Sequence, residues 1–177
     1  MKLFEIVTAN QANIDTDQIY PARFLLTTLR QGLGMYLFHD DPSLQIKASV
    51  NEKVLIAGDN FGCGSSREHA VWALMDVGIK GIIAPSFGEI FRINCLKNGI
   101  LAIVLDEAKC FELTHLNPRR IFIDLTHKTI NHPNLECMHF DLDSFSHQCL
   151  KQGYDQLDYL ISHSHAIEQY EHNNQRN

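Results

Sequence analysis

Between residues 54 and 105, short apolar runs alternate with amphipathic stretches. Val54-Leu55-Ile56-Ala57 is continuously apolar and is stopped by Gly58-Asp59-Asn60, the pattern of a strand covered on both faces. From about Ser66 to Val77, Ala70, Val71, Leu74 and Val77 recur at helical spacing and give one apolar face, with Gly78 as the stop. Ile79 to Ala84 predicts the next strand. Pro85-Ser86 opens a second helix with Phe87, Ile90, Phe91 and Cys95 turned inward, closed by Asn98-Gly99, and Ile100 to Leu105 is a third strand. Ser65-x-x-Glu68 and Ser86-x-x-Glu89 both have the spacing of a capping box. Strand–helix–strand–helix–strand with short loops predicts parallel pairing through right-handed crossovers.

The flanks are less regular. Residues 3–9 read as a first strand, residues 10–17 as a polar turn, and Gly32 and Gly34 break any helix after Ile19. Arg120 to Leu125 alternates like a strand, and Lys128 to Asn131 returns beside it through a tight turn. Residues 141–151 and 154–170 read as two helices, and His172 to Asn177 as a frayed polar end. With no linker, repeat or low-complexity stretch, the expectation is a single α/β domain over 1–177, with a mainly parallel sheet flanked by helices.

Composition narrows the partners. The chain has 177 residues, enough for one core, and a formal net charge of −6, which gives no general attraction to nucleic acid or anionic membranes. The run Ile100 to Leu105 is far short of the roughly 18 apolar residues that span a bilayer. Glu5 interrupts the apolar start, so no secretory signal is read. A cytoplasmic protein with no membrane or nucleic-acid partner is expected. Cys63, Cys95, Cys110, Cys137 and Cys149 form no C-x-x-C pair, so no cysteine-held metal or cluster is expected, and His163 and His165 read as surface residues.

Chemistry concentrates in Asp59-Asn60-Phe61-Gly62-Cys63-Gly64-Ser65-Ser66-Arg67-Glu68-His69, between a strand and a helix. Glycines let backbone approach a ligand, unpaired first-turn amides attract an anion, and Arg67 is a forked cation suited to a carboxylate. In that positive field a serine hydroxyl loses its proton at lower cost and can serve as a base. The same residues admit a plainer reading, in which Ser65 caps the helix and Arg67 bridges a nearby carboxylate. Cys63 with His69 as a nucleophile pair is a further reading, set against Cys63 as a packing residue. The spacing matches neither a P-loop nor a G-x-S-x-G elbow. The glycines also predict a mobile loop.

Phe61-Gly62-Cys63-Gly64-Ser65-Ser66-Arg67-Glu68-His69-Ala70 resembles the signature of the aconitase superfamily's swivelling domain, in the version of the isopropylmalate isomerase (3-isopropylmalate dehydratase) small-subunit family. Asn13-Ile14-Asp15-Thr16-Asp17-Gln18-Ile19, Ile83 to Phe91 and Asn94 to Gly99 agree with further segments of that family, so the resemblance runs from about residue 5 to 105. It implies a swivelling β/β/α fold and a hydro-lyase subunit that isomerises 2- and 3-isopropylmalate in leucine biosynthesis. It implies a large partner subunit carrying a 4Fe–4S cluster, and a small dicarboxylate substrate. Carried over by motif, Ser65 is the base, Arg67 the carboxylate ligand and Asp17 a catalytic residue that orders the site. Ser66, Gly64, Thr16, Leu25 and Leu26 are implied as substrate-binding positions, the two leucines suiting an isopropyl group. The short stretch between Asp40 and Val54, and the unmatched residues 106–177, leave room for a related methylmalate/citraconate or homoaconitate hydro-lyase, or for a non-catalytic anion-binding module.

Overall fold

A computed structural model describes residues 1–25, 30–44, 46, 51–65, 67–154 and 156–174. Its apolar runs assemble into β1 (Lys2–Ala9), β2 (Lys53–Ala57), β3 (Ile79–Ala84), β4 (Leu101–Val104), β5 (Arg120–Asp124), β6 (Thr129–His132) and β7 (Leu135–His139). They form one seven-stranded sheet in the order β4-β3-β2-β1-β5-β6-β7. The pairs β1–β2, β2–β3 and β3–β4 are parallel, as the alternation of strands and helices predicts. Beyond β1 the sheet continues antiparallel through β5, β6 and β7, so the whole is mixed. The return of β6 beside β5 was legible as a hairpin; β7 was not.

Helices follow the strands: α1 (Thr16–Ile19), α2 (Glu68–Asp76), α3 (Glu89–Lys97), α4 (Glu107–Thr114), α5 (Ser144–Gln152), α6 (Gln156–Ser162) and α7 (Ser164–Asn174). Successive strand residues point to opposite faces, and burial accordingly divides into two cores. On one face Leu55, Ala57, Ile82 and Ala84 pack with Ala70, Val71 and Leu74 of α2 and with Phe91 and Cys95 of α3. On the other, Val54, Ile56, Ile83 and Ile103 pack with Cys110 and Leu113 of α4 and with Ile121, Ile123, Ile130 and Met138 of the antiparallel half. Each fully buried Leu or Ile contributes about 1.5–3 kcal/mol of transfer free energy. With β2 buried along its whole length, a one-residue slip of that strand would exchange its side chains between two filled cores. The loop after β2 is therefore launched from a rigid base.

Several local expectations are corrected. Neither serine caps its helix: α2 starts at Glu68 with Arg67 at the N-cap, and α3 starts at Glu89 with Gly88 there, each without a side-chain cap. The Ser86 hydroxyl instead donates to Asp59 and accepts from the Asn60 amide at 2.8 Å. The Gly88 amide donates to the Phe61 carbonyl at 2.9 Å, which keeps residues 85–88 outside the helix. Ile90, expected to face inward, is 49% exposed. The expected helix over 154–170 is divided between α6 and α7 at His163, and α7 extends through part of the expected frayed end. Among the described residues no helix is long and apolar enough to cross a membrane.

Candidate functional site

Three segments meet at the carboxyl ends of the parallel strands: residues 10–20 after β1, residues 58–65 after β2, and residues 85–88 between β3 and α3. The middle segment is hydrogen-bonded on both sides. Toward the first, the Asn13 amide donates to the Asp59 carbonyl at 2.8 Å, Gly62 to Ile14 at 2.8 Å, and Thr16 to Cys63 at 2.9 Å. Toward the third, Phe61 donates to Ser86 at 3.1 Å and receives the Gly88 amide. Asn60 Nδ2 also donates to Asn13 Oδ1 at 2.8 Å. Phe61 is fully buried, edge-on to Phe91 with ring centroids 5.5 Å apart.

Residues 59–63 are thus tied to both neighbouring segments, and Gly62 has a steric reason. Gly62 has φ +72°, and a Cβ there would lie 2.2 Å from the Phe91 ring. Gly62→Ala is expected to destabilise the chain by about 2–4 kcal/mol, from left-handed strain plus overpacking. Gly153 has φ +69° but no heavy atom within 4 Å of its would-be Cβ, so Gly153→Ala should cost only about 1–2 kcal/mol. Urea unfolding of the two variants checks the difference, and equal costs would contradict the steric account.

At the end of this segment Ser65 is exposed, at the surface that the N-terminus of α2 also reaches. Its carbonyl accepts the Thr16 hydroxyl at 2.9 Å, and its own hydroxyl oxygen lies 3.4 Å from Thr16 Oγ1. Thr16, implied as a substrate-binding position, is 1% exposed and touches Ser65. Gly64 is exposed with φ +90°. Ser66 and Leu26 lie outside the described residues. Leu25 is half-buried, packed against the α2–α3 core.

Arg67 donates through Nη1 to Asp17 Oδ1 across 50 residues of sequence. Its side chain is 22% exposed and that of Asp17 55%. Asp17 is held in turn by a genuine capping box in the stretch expected to be a turn. Asp15 accepts from the amides of Asp17 and Gln18, each at 2.8 Å, and the Gln18 side chain accepts from the Asp15 amide at 2.9 Å. Asp17 also accepts the Ala22 amide at 2.7 Å. The Arg67 hydrogen bond, followed by the Ala22 amide, holds the Asp17 carboxyl below its usual range. For a depressed carboxyl, the stabilising contribution is present above the unfolded value and is lost as pH falls through the folded one. The Asp17 carboxyl is therefore ionised throughout the neutral range.

Cys63 is half-exposed and its thiol points to the Asn13 carbonyl, with Sγ at 3.5 Å. His69 lies between the rings of Tyr20 and Trp72, at centroid distances of 5.8 and 4.7 Å. The two side chains thus have different neighbours, and the nucleophile-pair reading gains no geometric support. Two features escaped the sequence. Asn98 joins Trp72 Nε1 at 3.0 Å to Glu68 Oε1 at 2.8 Å and so fixes the first turn of α2 against α3. The other is the contact of Thr16 with Ser65, which the motif, implying Thr16 only as a substrate-binding position, did not show.

Two of the cysteines lie on opposite faces of the sheet. Cys95 is in the α2–α3 core and Cys110 in the opposite one, with burial raising both thiols, Cys110 to about 11. Among the described residues no three His, Cys, Asp or Glu side chains converge as a metal site would require. The segment at Ser65 offers different chemistry: an exposed serine two residues before Arg67, a forked cation at the N-cap of α2, whose partial positive charge favours an anion.

Residues 41–108 match the family model described as the aconitase C-terminal domain. The chain is 45% identical over 174 residues to the 3-isopropylmalate dehydratase small subunit of Chloroflexus aurantiacus, covering 90% of this chain and 87% of that one. It is 38% identical over 193 residues to the protein of the same name from Leptospira interrogans, covering 97% and 94%. The crystal structure of 3-isopropylmalate dehydratase from Methanocaldococcus jannaschii superposes with a TM-score of 0.76 at 27% identity, covering 95% of this chain and 98% of that one.

Proposed function

Since this chain belongs to the family of 3-isopropylmalate dehydratase small subunits, we propose that it pairs with a large subunit to interconvert 2- and 3-isopropylmalate in leucine biosynthesis, with Ser65 as the base. The observation that supports the residue assignment is that Ser65 is exposed two residues before Arg67, which is paired with Asp17.

The reaction removes a proton from a carbon next to a carboxylate and loses the neighbouring hydroxyl as water, giving an alkene. Adding the two back in the opposite sense gives the isomer. The carbon acid is weak, and negative charge builds beside a group that is already an anion. A forked guanidinium and aligned amides at that charge are each worth about 3–4 kcal/mol to the transition state. Arg67 is positioned for one substrate carboxylate, with the Gly64 and Ser66 region completing the anion pocket. Asp17 keeps the Arg67 fork in place. Leu25 and Leu26 supply an apolar wall for the isopropyl group. Ser66 and Leu26 enter through the family resemblance alone.

The 4Fe–4S cluster of this proposal is carried by the large subunit and supplies the Lewis acid for the hydroxyl when bound. The roles proposed for Ser65, Arg67 and Asp17 all concern a proton or a carboxylate. The complex is proposed to be cytoplasmic, and this chain alone to be inactive.

The test is reconstitution with the cognate cluster-loaded large subunit and assay on a substrate panel. The isopropylmalates should be turned over at least about tenfold faster than methylmalate, which lacks two apolar carbons, or homoaconitate, whose extra carboxylate an apolar pocket disfavours. A faster methylmalate or homoaconitate would overturn the substrate assignment. An assembled, cluster-loaded complex inert to the whole panel would leave only the anion-binding reading.

A further inference from the structure

We infer that Thr16 is the positioning residue of the base, and that its hydroxyl exchanges acceptors as Ser65 loses its proton. The inference rests on the reading of Ser65 as the base. Thr16 is buried, with its amide on the Cys63 carbonyl at 2.9 Å and the Asp15–Gln18 capping box around it. Its backbone is thereby fixed relative to Ser65.

A hydroxyl has one proton to donate. That of Thr16 goes to the Ser65 carbonyl at 2.9 Å. The 3.4 Å contact between the two hydroxyl oxygens can then be made only with Ser65 as donor. At 3.4 Å it is long for an O–H···O bond and therefore weak. In the resting arrangement Thr16 therefore offers the Ser65 hydroxyl an acceptor and no donor.

Ser65 is exposed, so its proton passes to solvent water, and the alkoxide oxygen left behind only accepts. Rotation of Thr16 about its Cβ–Oγ1 bond moves the hydroxyl proton from the Ser65 carbonyl to the Ser65 alkoxide. A hydrogen bond to an ionised acceptor is shorter and roughly twice as strong as a neutral one. The carbonyl left behind belongs to an exposed residue and can be satisfied by water. No proton leaves Thr16, so the exchange balances: one hydrogen bond to a carbonyl is traded for one to an anion.

The charged and titratable groups around Ser65 are occupied otherwise. Asp15 accepts the amides of Asp17 and Gln18, and Asp17 is paired with Arg67. On α2, Glu68 accepts from Asn98 and His69 lies between Tyr20 and Trp72. The Cys63 thiol is on the Asn13 carbonyl. Asp17, held below its usual range, stays ionised through an assay window above pH 5 and supplies no limb of the profile there.

The test is the pH profile of kcat/KM in the reconstituted complex for Thr16→Val, Thr16→Ser and Ser65→Ala. Losing a donor to the alkoxide makes Ser65 harder to deprotonate, so the acidic limb should move to higher pH in Thr16→Val. Its kcat should fall by about 10²-fold, the scale of one donor to a developing anion, with KM nearly unchanged. Thr16→Ser should restore both kcat and the limb. If Thr16→Val fails to assemble, Thr16→Ala must show the same displaced limb. An unmoved limb, an effect confined to KM, or a serine variant no better than valine would overturn the inference. Full turnover by Ser65→Ala would instead overturn the reading of the base itself.

Discussion

Ser65→Ala in the assembled complex is expected to lower kcat by about 10³-fold, within the range of a lost general base. That loss corresponds to about 4 kcal/mol of transition-state stabilisation. The fold should be little disturbed, because Ser65 is exposed and the bond that ties it to the body uses its carbonyl rather than its hydroxyl. Assembly checked by size-exclusion chromatography, together with steady-state kinetics on 3-isopropylmalate, separates the two. A variant that assembles and keeps wild-type KM but turns over slowly matches a residue acting on the proton. Weakened assembly with normal kcat per complex would point to a structural part.

The second large effect is expected at Arg67. Arg67→Lys keeps the charge but loses the planar fork, so it cannot hold Asp17 and a substrate carboxylate in the same geometry. The expected loss in kcat/KM is about 10²-fold, the scale of one misplaced donor at a developing anion. Asp17→Asn should produce a smaller loss by the same route, since Arg67 then lacks the carboxylate that orders it. Because the two residues touch, their effects should be strongly non-additive, and kinetics of the double variant measure that coupling. Additive losses would mean that Asp17 orders something other than Arg67.

The parts of the fold that were legible are those where burial is two-sided or strictly periodic. Strands β2 and β3 are nearly continuous apolar runs because both faces are covered, and α2 shows one stripe because one face is. Strand β7 shows only Met138 buried, while Glu136, Cys137 and His139 are exposed, so no alternation marks it. Helix α4 buries only Cys110 and Leu113 among charged neighbours. A pattern this sparse does not distinguish it from a loop.

At the site the motif led to Ser65, Arg67 and Asp17, and the structure brings Asp17 and Arg67 into contact. Local spacing misled at both serine caps. The S-x-x-E pattern records what a serine can do within its own helix, but Ser86 finds Asp59 and Asn60, and Ser65 finds Thr16. Those partners lie 26 or more residues away and become neighbours only when the parallel strands align the three loops. The glycines misled for a related reason. Read alone, Gly62 permits motion; next to Phe91 it is the residue that lets the loop lie flat on the core.

Single-turnover formation of the alkene from 3-isopropylmalate, with the substrate saturating and deuterium at the carbon that loses its hydrogen, isolates the step assigned to Ser65 from product release. The account predicts a primary isotope effect in the unaltered complex and alkene formation slowed by about 10³-fold in Ser65→Ala. Alkene appearing at the unaltered rate in that variant would contradict it.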